Sequence, residues 1–180
     1  MAFFTIGHST RTIDEFLGLL REAGVDLLVD VRRLPGSNRH PQFNADALSR
    51  SLDDAGVGYT RIEELTGRRG RDKEVPFDVN GFWRNRSFHN YADWAMTSEF
   101  RAGLDRLRSA GEDAIPAVMC SEAVWWRCHR RLIADNLLAA GEDVRHIMRP
   151  GVIEHAELTR GAVVDPETRQ VTYPASGGEA

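Results

Sequence analysis

Asp26-Leu27-Leu28-Val29-Asp30-Val31 is apolar at four of its six positions and bracketed by acids, short enough for a strand and too apolar for one that faces water. Working back along the chain, Gly24 closes a segment in which Phe16, Leu19, Leu20 and Ala23 recur at helical spacing, opened by Thr12-Ile13-Asp14-Glu15 with the spacing of a capping box. Before that helix stands a second apolar run, Phe3-Phe4-Thr5-Ile6-Gly7. Strand, helix and buried strand in this order make a βαβ unit, and a buried parallel pair needs helices on its faces.

The remaining chain repeats the alternation. Asn44 or Asp46 can cap a helix that runs through Ala55 to Gly56, followed by a third strand at Tyr59-Thr60-Arg61-Ile62. A helix is expected over 90–108, ending near Gly111, then a fourth strand at Ile115-Pro116-Ala117-Val118-Met119. A helix from about Arg127 to Ala140 and a fifth strand at Val144-Arg145-His146-Ile147-Met148 complete the pattern. The expected fold is α/β: one three-layer domain over 1–159, with a mostly parallel sheet of about five strands and helices on both faces. Residues 160–173 read as a hairpin extension and 174–180 as a disordered tail.

Composition narrows the function classes. The chain has 180 residues, enough for one real core, and carries a net charge of −4, so attraction to nucleic acid or phosphate has to come from a local patch. No membrane-length apolar run and no secretory leader pattern is present, which points to a cytoplasmic protein without a membrane partner. Both cysteines, Cys120 and Cys128, are then expected as thiols, ligands or catalytic groups and not as a structural staple.

In an open α/β sheet, ligands gather at the carboxyl ends of the strands. His8 and Ser9, then Asp30, Arg32 and Ser37, then Cys120 and Glu122 follow successive strands there. Cys128, His129 and Arg130 open the facing helix. Candidate catalytic residues are Cys120, Glu122, His129, His8 and Asp30. Cys120 lies at a strand end before a helix N-terminus and near Arg130, which favour a thiolate, while Glu122 opposes it, so its ionisation stays open. Asp30 serves equally well as a buried partner of Arg32 or Arg130, His8 as a satisfied loop histidine, and Cys120 as a small core residue. Ser9, Arg32, Ser37 and Arg130 are candidate substrate-binding groups. So are Arg68, Arg69 and Trp83 from the segment 66–90, whose interleaved arginines and aromatics read as a lid over an anionic or phosphate-bearing ligand. No cofactor is expected. A metal held by Cys120, Cys128, His129 and His8 is a less favoured alternative, because Cys-x7-Cys-His matches no common zinc spacing.

Several stretches together resemble the bacterial and archaeal "domain of unknown function 488" family over nearly all of Phe3 to Thr159. They are Thr5-Ile6-Gly7-His8-Ser9, Leu28 to Arg32 with Pro35 and Ser37, Pro41-Gln42-Phe43-Asn44, and Tyr91-Ala92 with Thr97-Ser98-Glu99-Phe100. The pair Met119-Cys120-Ser121-Glu122 and Cys128-His129-Arg130 is the most recognisable of them. The resemblance implies a prokaryotic protein and supports the site without supplying a reaction. Leu28 to Arg32, and Val118-Met119-Cys120 before an arginine-led helix, also resemble rhodanese-type sulfurtransferases, although here the loop after the cysteine is longer and carries Glu122, Trp125 and Trp126.

Three functions follow as expectations. The first is a thiol-dependent enzyme, acting by sulfur transfer or nucleophilic cysteine chemistry on an anionic substrate. The second is a nucleotide- or nucleic-acid-processing enzyme with Glu122 or Asp30 as general acid or base and 66–90 holding phosphate and base. The third is a module that binds nucleic acid or protein through 66–90.

Overall fold

The computed structural model describes residues 1–175, and the part of the expected tail at 176–180 lies outside the described residues. A six-stranded sheet is ordered β3-β2-β4-β1-β5-β6, from β1 (Ala2–Gly7), β2 (Leu27–Asp30), β3 (Gly58–Arg61), β4 (Pro116–Cys120), β5 (Asp143–Arg149) and β6 (Val152–His155). The first five are parallel. β6 pairs antiparallel to β5 and was not anticipated: it is a four-residue, mostly exposed edge strand whose sequence lacks a clean apolar alternation. β7 (Val163–Val164) and β8 (Val171–Thr172) form the expected hairpin, and the Ala175 N–H beyond it still donates to the Asp78 carbonyl.

The helices follow from their ends. α1 (Ile13–Glu22) has the capping box at Thr12 and Glu15, and Gly24 leaves it at φ +71°, a conformation only glycine adopts without strain. α2 (Ala45–Asp54) begins after Asn44, whose side chain accepts the Ser37 N–H instead of capping its own helix. The single helix expected over 90–108 is two: α3 (Arg86–Trp94), capped by Asn85, and α4 (Ser98–Asp113), capped by Thr97. α4 passes through Gly111, which stops nothing. It is there because a Cβ would lie 2.6 Å from the Phe3 ring, so the glycine allows the helix to sit close on the sheet. α5 (Arg130–Ala139) starts three residues later than expected, after a 3-10 turn over Trp125–Arg127 and an extended Cys128.

Sheet pleat sorts the side chains into two cores, since alternate residues face opposite sides. Phe4, Ile6, Leu28, Ala117 and Met119 pack with Phe16 and Leu20 of α1 and Leu48 and Leu52 of α2. Phe3, Val29, Val31, Val118 and Cys120 pack on the other face with Leu107 of α4 and Leu132, Ile133 and Leu137 of α5. The three-layer expectation stands.

The segment 66–90 departs from a lid. Trp83 is 6 % exposed and packs against Tyr173 and Phe88, while buried Asn80 donates to Asp93 and accepts the Tyr173 N–H. Trp83 belongs to the core, with Phe82 and Phe88 packed against it, because they find apolar partners that include the C-terminal hairpin, whereas Phe77 stays exposed.

Candidate functional site

The sheet divides the expected site in two. Gly7 and Cys120 are neighbours in the β1–β4 register, and Cys120 points to the α5 face. His8, one residue on from Gly7, points to the α1 face, where its ring stacks on Phe43 with centroids 4.4 Å apart. Proximity at one sheet edge therefore does not make one constellation. It makes two, back to back.

On the α1 face, Asp30 is fully buried and saturated. Its carboxylate accepts from the Arg32 backbone N–H, from Arg32 Nε at 2.9 Å and Nη2 at 2.7 Å, and from the Tyr59 hydroxyl at 2.7 Å. Arg32 Nη1 donates to the Phe43 carbonyl and faces His8 Nε2 at 3.4 Å. The carbonyl of Ser9 can only accept, so His8 Nδ1 carries the proton and Nε2 offers its lone pair to Arg32. Burial, and then Arg32, push the His8 pKa down to about 4. Asp30, Arg32 and His8 thus tie β1, β2 and the Pro41–Phe43 turn together, and neither Asp30 nor His8 has a free lone pair aimed at open space. Ser9 sits half-buried at φ +49°, and exposed Ser37 accepts the Arg39 N–H, so neither points at a thiol.

On the other face the parts converge. β1 and β4 leave the sheet toward helices on opposite faces, which ordinarily opens a ligand crevice between them. Here the ladder continues into the loops, with His8 N–H donating to the Cys120 carbonyl and Ser9 N–H to the Ser121 carbonyl, both at 3.0 Å. The Glu122 carbonyl presses against Gly7 so closely that a Cβ there would lie 1.7 Å from it. Beneath this lid of backbone lies the guanidinium of Arg130, 1 % exposed. Its Nη2 donates to the Glu122 carbonyl at 2.7 Å and its Nη1 to Thr5 Oγ1 at 3.3 Å, and its Nε has no partner. Thr5 Oγ1 also shares a hydrogen bond of 2.7 Å with His146 Nδ1. His146 stacks on Trp125 at 4.5 Å, and burial followed by Arg130 pushes its pKa down to about 3.

No carboxylate lies within 4 Å of the Arg130 guanidinium among the described residues. A buried cation without a counter-charge is expensive, and the groups beside this one that can become anions are the two thiols. Cys128 Sγ accepts the Arg130 backbone N–H at 3.5 Å and lies 3.4 Å from His129 Nδ1. His129 Nε2 donates to the Val31 carbonyl at 3.1 Å, which leaves Nδ1 as the nitrogen that can take the Cys128 proton. Gly67 makes room for that imidazole, since a Cβ would lie 2.8 Å from Nδ1, and the Tyr91 ring covers it at 5.0 Å.

These contacts act on the two thiols in opposite directions. Burial pushes the Cys120 thiol well up, and the neighbouring Cys128 adds to the rise. Burial raises Cys128 as well, but the neighbouring Cys120, the Arg130 charge and the Arg130 N–H outweigh it and bring it below the ordinary thiol range. Position at the strand end favoured Cys120 in the sequence. The extended backbone at Cys128, which turns its sulfur toward the first N–H of α5, has no signature in the residues themselves.

Glu122 contributes its backbone and not its acid, for the side chain is exposed and its carboxylate makes no hydrogen bond among the described residues. Arg68 is exposed at φ +57°. Arg69 stacks on Trp94 at 3.9 Å and donates to the Glu63 and Thr66 carbonyls. It lines a cleft of about 570 Å³ with Arg33, Arg61 and Glu63, beyond Gly67 from His129. The four-ligand metal set is not assembled: His8 is across the sheet, and no group of three His, Cys, Asp or Glu side chains suited to a metal ion occurs among the described residues. No described helix is long and apolar enough to cross a membrane.

Two buried imidazoles held neutral give an acid-lability prediction. Unfolded histidine titrates near about 6.5, above the folded values of about 4 for His8 and about 3 for His146. Between those limits the unfolded chain binds more protons, so stability present above pH 6.5 is lost as pH falls toward 4. The loss is on the order of 1 kcal/mol per pH unit for each imidazole. Urea midpoints at pH 7 and pH 5 check this, and equal midpoints would refute it.

Comparison with known proteins adds one result: the family model described as "Domain of unknown function DUF488" matches residues 12–137. The match takes in Asp30, Arg32, both cysteines, His129 and Arg130, whereas Thr5 to Ser9 fall before it. No curated protein and no solved structure matches the chain, and nothing supports the rhodanese resemblance.

Proposed function

The chain belongs to the DUF488 family, and from that premise we propose that it is a thiol-dependent enzyme in which Cys128 is the nucleophile and Cys120 the resolving thiol. The observation that carries this is the placement of Cys128 Sγ between His129 Nδ1 and the Arg130 N–H, in front of a buried guanidinium that lacks a carboxylate. Nucleophilic cysteines elsewhere are activated by the same means, a positioned imidazole and nearby positive charge. The substrate class is a small electrophile with anionic character, because the neighbouring Arg130 is cationic and Cys128, 6 % exposed, admits little bulk. Carboxylate acid–base chemistry has less to support it, with Asp30 saturated and the Glu122 acid on the surface.

Thiol–disulfide exchange with a small aromatic disulfide tests the roles. Cys128 thiolate attacks one sulfur of the reagent and expels one aromatic thiolate. Cys120 then attacks the mixed disulfide, its proton leaving with the second aromatic thiol, and an internal disulfide remains. Native protein should release two equivalents, and Cys120→Ser should stop at one with the adduct retained on Cys128. Cys128→Ser should react slowly or not at all at pH 7. A fast Cys128→Ser and an inert Cys120→Ser would reverse the assignment.

A further inference from the structure

A second cleft, of about 590 Å³, lies where the chain enters α3 and uses none of the thiol residues. Arg71, Arg84 and Arg86 line it, all exposed. Among the described residues, none of the three forms an ion pair or a side-chain hydrogen bond and no Asp or Glu lines the cleft. On a chain of net charge −4, three unpaired guanidiniums in one concavity form a local anion trap. The acids of the same segment, Asp72, Glu74 and Asp78, stay outside its lining.

The cleft also holds an aromatic platform. Phe77 is 59 % exposed, yet its inner face is stacked on His89, with ring centroids 4.5 Å apart and planes 16° from parallel. His89 Nε2 donates to the Phe77 carbonyl at 3.1 Å, and the 3-10 turn Phe77–Asn80 is pinned below by buried Asn80. An apolar ring held this firmly, with its outer face open beside unpaired cations, suits a planar group carrying negative charge. Arginines alone would take any polyanion; the fixed ring selects a flat one.

We propose that this cleft binds a nucleoside phosphate, with the base stacked on the outer face of Phe77 and the phosphate held by Arg71, Arg84 and Arg86. The volume falls in the range of small-ligand sites, and the pairing of stacking ring with cations is the one that binds bases without reading sequence. The site stands whatever the thiols do.

Calorimetric titration of the full chain with adenosine monophosphate, inorganic phosphate and an octa-adenylate strand tests it. Native protein should bind the monophosphate about tenfold more tightly than phosphate. Phe77→Ala should remove that advantage while leaving phosphate affinity unchanged, which also shows that the variant is folded. Replacing Arg71, Arg84 and Arg86 together with Gln should weaken the monophosphate about tenfold or more and flatten its salt dependence. Arg33→Gln, in the other cleft, should change nothing. A strand that binds more tightly than the monophosphate identifies a nucleic-acid end as the source of the ligand, and equal affinity identifies free nucleotide. No saturable monophosphate binding up to about 10 mM, equal affinity for phosphate, or an unchanged Phe77→Ala would overturn the proposal.

Discussion

Gly7→Ala should destabilise the protein by about 4 kcal/mol or more, a cost far above that of an ordinary glycine substitution. The new methyl would occupy the position of the Glu122 carbonyl oxygen, 1.7 Å away, and a backbone atom cannot swing aside as a flexible side chain does. Relief requires the loop after β4 to lift, which breaks the 2.7 Å bond from Arg130 Nη2 and the adjoining ladder bond from Ser9 N–H. A buried cation would then lose its best acceptor, and that penalty adds to the steric one. Urea unfolding gives the stability change. If the chain still folds, thiol reactivity at pH 7 should fall in parallel, because the same movement displaces Arg130 from Cys128. A midpoint within experimental error of native would mean the loop does not lie on Gly7.

Arg130→Met should separate stability from reactivity. Methionine keeps much of the buried stem, and the orphaned Nε disappears along with the charge. Removing a buried, unpaired cation in favour of an apolar side chain is often nearly neutral, so a change within about 2 kcal/mol is expected. Reactivity should not be spared. Without the guanidinium, its charge no longer offsets burial at Cys128, so the thiol pKa rises, although Cys120 and the Arg130 N–H still act on it. The thiolate fraction at pH 7 then falls, and alkylation slows with it. Retained alkylation at pH 7 would show that Arg130 serves packing alone.

Alternation of strand and helix, the capping box at Thr12 and Glu15, and the left-handed Gly24 were all readable, because each is a local rule written in adjacent residues. β6 was not, since an exposed edge strand has no buried face to print a pattern on its sequence. The site residues were gathered at the correct edge and then over-joined. Separating His8 from Cys120 needs the β1–β4 register, which pairs Gly7 with Cys120 and so sends His8 to the other face, and register is a property of two strands. The 66–90 segment misled in a similar way: Trp83 among arginines resembles a stacking loop until Tyr173, ninety residues on, is found to cover it. Phe77, in the same segment, kept its open face.

The preference for Cys128 over Cys120 is the central claim, and site-resolved alkylation with iodoacetamide as a function of pH tests it most directly. Peptide mapping after short exposures gives a separate profile for each cysteine. Cys128 should label with a midpoint below the ordinary thiol range, while Cys120 stays unlabelled through the same range. Cys120 labelling first, or both thiols titrating together above pH 9, would contradict the account.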